Sequence, residues 1–167
     1  MNIGKYCMGT LHASTSRETI MRLQNEPMNV PEVLINLVDV FVIMRRYNHN
    51  GKIQRVVGEL VETAGMEEKM VLLSALWTFD FSALKYRESS ISSIYRDRLA
   101  QASGKSPKEV MQELRIRSHI IDKLVEKDIK DFTPVTEFFR TYSTDPDAAI
   151  NSLGLKKEDL LRSPTEK

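Results

Sequence analysis

The sequence predicts a mixed α/β body over residues 1–81 and an all-helical region over residues 82–167. Two observations carry that reading. Runs rich in apolar and β-branched residues, Val38 to Arg46 and Ile53 to Thr63, flank Asn48-His49-Asn50-Gly51, and Asn-Gly supplies the positive φ angles that a tight strand reversal needs. After about Asp80 the pattern turns helical, and Ser106-Pro107-Lys108-Glu109 combines an N-cap, a proline at the first helical position and a capping-box glutamate.

In chain order, Tyr6 to Leu11 reads as a short strand, largely apolar or β-branched and bounded by Gly4. Thr15 then caps a helix with Glu18 at the capping-box position. Ile20 and Leu23 form its apolar edge, and Asn25 and Pro27 stop it. Pro31 opens a second short helix, expected to bury Val33, Leu34, Leu37 and Val38. The hairpin follows. Met70 to Phe79, with Trp77 near its end, reads as a further strand. Ile91 to Ala102 suggests a helix closed by Gly104. The helix opened by Pro107 carries Val110, Leu114, Ile121 and Val125 at helical spacing and should end near Asp128. Thr133-Pro134 and Asp145-Pro146 start two shorter helices, ending near Tyr142 and Gly154, and the charged tail from Lys156 is expected to fray.

Composition bounds the function. With 24 Lys+Arg against 23 Asp+Glu the formal charge is +1, which gives no global field to recruit nucleic acid or anionic lipid. At 167 residues, 41% of them hydrophobic, the chain can bury one sizeable core or two small ones. The single cysteine, Cys7, excludes an internal disulfide framework. No apolar run approaches the roughly 20 residues that span a bilayer, and the first residues lack a signal-peptide segment, so a cytoplasmic location is expected.

Gly4 and Gly9 have the glycine spacing of a Walker A loop, but Thr10 stands where its lysine belongs and Leu11 where its hydroxyl belongs. That match is read as chance. One cysteine and the scattered His12, His49 and His119 do not offer a tetrahedral metal site, so no metal is expected. His49 lies in the hairpin turn and is expected to be solvated; His119 lies between the polar and apolar faces of its helix. No Ser-His-Asp arrangement and no catalytic carboxylate pair can be picked out. Glu59 and Glu62 are read as a solvated strand edge.

Several short elements together resemble a known family. Thr10-Leu11-His12-Ala13, Arg17-Glu18-Thr19, Arg22-Leu23, Pro27-Met28-Asn29-Val30-Pro31 and Arg45-Arg46 in the hairpin are similar to the traffic ATPases of type II secretion (the GSP E family), type IV pili and archaeal flagella. The Pro-Met-Asn-Val-Pro element makes the archaeal members the most similar. The resemblance implies that residues 1–81 are the C-terminal part of a RecA-like P-loop ATPase core and that residues 82–167 are the helical C-terminal region. In that family Thr-Leu-His-Ala is the His box, so His12 would lie near the terminal phosphate of ATP with Thr10 beside it. Arg17 and Arg22 would be nucleotide-proximal or at a subunit interface. Walker A, the Asp box, the Walker B acid and the N-terminal clamping domain have no counterpart in the chain, so independent hydrolysis is not expected.

ATP and Mg²⁺ are the cofactors implied for the complete family member. The implied partners are an N-terminal nucleotide-binding portion or intact ATPase subunits, a hexameric ring and a polytopic membrane platform protein, with the chain peripheral to the cytoplasmic face. An alternative makes it a non-catalytic interaction module that docks on an intact ATPase ring. A winged-helix DNA binder is a weaker reading, because Glu109, Glu113, Asp122 and Glu126 offset Arg115 and Arg117 and leave no basic stripe.

Overall fold

The computed structural model describes residues 7–160. Its elements run α1 (Ser16–Gln24), α2 (Glu32–Ile35), β1 (Val40–His49), β2 (Lys52–Glu67), β3 (Met70–Asp80), β4 (Lys85–Glu88), α3 (Ile94–Ser103), α4 (Pro107–Glu126), α5 (Phe132–Thr144), α6 (Pro146–Ser152) and α7 (Lys157–Leu160). The chain is thus mixed α/β, and it divides into two compact units after Asp97.

In the first unit the four strands form an antiparallel sheet in chain order. Asn50 (φ 51°) and Gly51 (φ 76°) turn the β1–β2 hairpin, and His49 pairs with Lys52 beside them. β3 forms where the apolar run from Met70 predicts it. β4 carries no such run and went unanticipated; it is held by pairing, with the Phe79 and Tyr86 rings 5.1 Å apart. Asp80 closes that turn by accepting from the backbone N–H of Ser82 (2.8 Å) and Ala83 (3.0 Å) and by pairing with Arg87. One core joins Ile20 of α1 and Ile35 of α2 to Phe41, Ile43, Val61 and Val71 of the sheet.

Three expectations are corrected here. The strand at residues 6–11 does not form: Tyr6 lies outside the described residues, and Cys7 to Leu11 has no regular structure because no described strand pairs with it. In α2 the buried residue is Ile35, whereas Val33, Leu34 and Leu37 are exposed and Val38 is half-buried; one turn of helix offers a single inward position. Glu59 and Glu62 are not a solvated edge. The Glu59 carboxylate accepts from Ser16 Oγ at 3.1 Å. Glu62 is 2% exposed and accepts from Ser93 Oγ (2.8 Å), Ile94 N (2.9 Å) and Tyr95 N (3.1 Å), which places a carboxylate on the free amides that open α3.

In the second unit, Ser106 and Glu109 complete the capping box of α4. The core is Ile116, Ile120 and Leu124 of α4 with Tyr142, Ala149, Ile150, Leu153 and Leu160. Of the apolar positions noted at helical spacing only Val110 is buried; Leu114, Ile121 and Val125 are exposed. Both stripes keep helical spacing, and packing against α5 and α6 selects the one through Ile120. α5 begins at Phe132, so Thr133 and Pro134 lie within its first turn, where a missing N–H costs nothing. Asp145 caps α6 by accepting from Ala148 N at 2.9 Å. The tail expected to fray from Lys156 instead forms α7 to Leu160, and its remainder lies outside the described residues.

Glu113 links α4 to α5, accepting from Arg117 Nε (2.8 Å) and Tyr142 Oη (3.0 Å). Partial burial pushes the Glu113 carboxyl pKa up, but the hydrogen bonds from Arg117 and Tyr142 outweigh it and hold the group below its ordinary 4.5. Among the described residues no helix is long and apolar enough to cross a membrane.

Two measurements check these joints. Glu62→Ala strips three donors of their acceptor and should destabilise the first unit by about 2–4 kcal/mol in chemical denaturation, with Glu62→Gln intermediate. A depressed carboxyl contributes stability above its unfolded pKa and loses it as pH falls through the lower folded value. Glu113→Gln should therefore be less stable than the parent at neutral pH, and the two melting curves should converge as pH drops well below 4.5.

Candidate functional site

His12 stands on an exposed segment without regular structure that leads to a residue, Ser14, clamped at both its N–H and its carbonyl. The Ser14 N–H donates to Glu18 Oε2 at 2.8 Å, and the Ser14 carbonyl accepts from an Arg45 guanidinium N–H at 2.6 Å. One step on, Thr15 Oγ1 accepts the Glu18 N–H at 3.0 Å and opens α1. Glu18 thus reaches one residue further back than an ordinary capping box, and it ties the approach segment to the helix.

The sheet supplies the other half of the clamp. Gly58 is the extra residue of a β-bulge, since Ile43 pairs with Glu59 and Met44 with Val57. A β-carbon on Gly58 would lie 2.2 Å from Arg45 Cγ, so the bare backbone is what lets the arginine stem cross the strand toward Ser14. Sequence reasoning noted neither role, although an isolated glycine inside an alternating strand is a sign of close backbone approach.

Beyond the clamp, His12 and Leu11 form one wall of an open groove of about 500 Å³, opposite Met21 and Arg22 of α1 and the Pro27-Met28 turn. Arg22 is engaged with Glu18 Oε1 through Nε (2.9 Å) and a terminal nitrogen (2.8 Å). Arg17 leaves in another direction and donates to the Val71 carbonyl on β3 at 3.3 Å. The structure therefore brings His12 and Arg22 to one groove, leaves Thr10 exposed on the approach segment, and turns Arg17 to the sheet. The Ser14 amide first, and Arg22 second, hold the Glu18 carboxyl below its ordinary pKa against a small effect of burial. His49 is exposed at the hairpin tip and His119 half-buried on α4.

The groove does not fit a nucleotide held by this chain alone. Glu18 and Glu26 add two carboxylates, the one arginine is already paired, and no glycine-rich phosphate cradle accompanies them among the described residues. The described residues also hold no cluster of three or more potential metal ligands. What is present suits a one-sided contact: an exposed imidazole, with an arginine behind it, meeting an anion presented from outside.

No known family profile matches the chain. Three proteins of Methanocaldococcus jannaschii are similar to it: uncharacterized protein MJ0781 (24% identical over 151 residues, 88% of this chain and 20% of that protein), uncharacterized protein MJ0900 (25% over 142 residues, 82% and 26%) and uncharacterized protein MJ1287 (25% over 123 residues, 72% and 45%). The chain thus spans between a fifth and just under half of the length of these relatives.

Gly58→Ala tests the clamp. It should cost about 1–3 kcal/mol of stability by crowding Arg45, and faster amide hydrogen exchange should appear at Ser14 and its neighbours while α4 to α6 keep their protection.

Proposed function

We propose that the chain is the C-terminal part of a RecA-like traffic ATPase of the type II secretion, type IV pilus and archaellum kind, acting at the cytoplasmic face of a membrane. His12, displayed on a segment clamped at Ser14, is the observation that carries this reading. It is an exposed donor whose base is anchored to both α1 and the sheet, as a group that touches a phosphate held by another polypeptide requires.

ATP and Mg²⁺, when bound, are held by that other polypeptide, an N-terminal Walker A portion or an intact ATPase subunit, within a hexameric ring that acts on a polytopic membrane platform. This chain's part is positional. His12 meets the phosphate side, Thr10 lines the approach, Arg22 stands behind it in the groove, and Arg17 braces α1 against β3. No nucleic-acid partner belongs to this reading.

Isothermal titration of the isolated chain with Mg-ATP should give no binding. Mixed with a separately produced Walker A portion of a relative, it should support hydrolysis. His12→Ala should lower that rate by about 10²-fold, the cost of one positioned donor, without weakening the complex. Tight Mg-ATP binding by the isolated chain, or an unchanged rate in His12→Ala, would falsify the proposal. Complex formation with no hydrolysis would favour the non-catalytic docking module instead.

A further inference from the structure

The sheet has a second face, opposite the one that α1 and α2 cover. Val42, Leu60 and Trp77 are direct cross-strand partners and so point to the same side. Two residues along β1 come Met44 opposite Val57, then Arg46 opposite Arg55, then Asn48 opposite Ile53. Val42 is 55% exposed, Met44 58%, Ile53 61% and Trp77 40%. At its far end the same face is closed by Glu62 and the start of α3, so what lies open is a strip of apolar rows followed by two guanidiniums and then the row of Asn48 and Ile53 at the hairpin end.

Like charges directly opposite each other on a sheet destabilise it, and neither Arg46 nor Arg55 has an ion-pair or hydrogen-bond partner among the described residues. Three exposed arginines elsewhere are ion-paired, Arg22 with Glu18, Arg87 with Asp80 and Arg117 with Glu113, and no other described arginine faces a second arginine across the sheet. An unbalanced arginine pair beside exposed apolar rows is complementary to carboxylates set beside leucine-like side chains. Successive rows lie about 7 Å apart, against about 6 Å between side chains at i and i+4 of a helix, so side chains of neighbouring turns reach neighbouring rows.

We propose that this face docks an acidic amphipathic helix of a protein partner, with apolar side chains on the Val42 and Met44 rows and a carboxylate on Arg46 and Arg55. The inference does not rest on the reading of His12, which lies by the other face. A nucleic acid or an anionic bilayer fits less well, because Glu88 is the direct neighbour of Trp77 and the positive charge is confined to one end of the strip.

Trp77 is the chain's one tryptophan, so its emission reports on this surface. The full chain is titrated with a synthetic helical peptide of about 18 residues built from leucine on one face and glutamate on the other. The expected result is a saturable blue shift of Trp77 emission. It should weaken about tenfold in about 0.5 M salt, and by a similar factor in both Arg46→Glu/Arg55→Glu and Arg46→Gln/Arg55→Gln. Should the glutamate variant fail to fold, the glutamine variant carries the comparison, its fold checked by circular dichroism.

Controls are the same peptide with lysine for glutamate, phosphatidylglycerol vesicles and a single-stranded oligonucleotide. No saturable shift with the acidic peptide, equal binding of the lysine peptide, tighter binding of vesicles or oligonucleotide, or unchanged binding in the glutamine variant would each overturn the proposal.

Discussion

Ser14 ties the N-terminal segment to the body of the first unit through both of its backbone polar groups. Its N–H goes to a glutamate one turn into α1 and its carbonyl to an arginine from β1. Neither bond is buried, so the clamp adds little to global stability. Its effect is geometric. The two bonds act on the successive peptide planes either side of the Ser14 Cα and so restrain the backbone there from both sides. Gly58 is part of the same constraint, because any side chain there would push the Arg45 stem off its path.

Carboxylates do comparable work elsewhere. Glu62 sits under the first turn of α3, where free amides and the positive end of the helix both favour an anion. Glu113 joins α4 to α5 through Arg117 and the Tyr142 hydroxyl. Units of this size bury modest cores, so the direction in which one element leaves another is set here by a few polar joints as much as by apolar area. Asp80 and Asp145 repeat the device locally, each turning the chain by accepting nearby backbone amides.

What was legible in the sequence was whatever depends on neighbours in sequence. Asn50-Gly51, Thr15 with Glu18, Ser106 with Glu109, and Asp145-Pro146 act within four residues and appear where their chemistry puts them. Glu62 was misread because its donors lie 31 to 33 residues away. Which face of α4 is buried is not legible in the sequence, because the stripe through Leu114, Ile121 and Val125 and the stripe through Ile116, Ile120 and Leu124 keep helical spacing alike; packing against the following helices distinguishes them. Of the candidate site, His12 and Arg22 share a groove because the Pro27-Met28 turn folds back beside α1, while Arg17, five residues before Arg22, is turned to Val71.

The groove also explains how Arg22 can be both paired and available. Glu18 uses Oε2 for the Ser14 amide and Oε1 for Arg22, so the two bonds are separable. The pair is exposed and weak, so on the proposed reading an incoming phosphate with its greater charge competes for the guanidinium at small cost. If Arg22 swings toward such an anion, Oε2 keeps hold of Ser14 and His12 keeps its anchor. Glu18, one of two groove carboxylates that would repel an anion, is therefore also a group that holds the Ser14 end of the imidazole segment in place. A substitution that removed its charge would lose orientation in the act of gaining affinity.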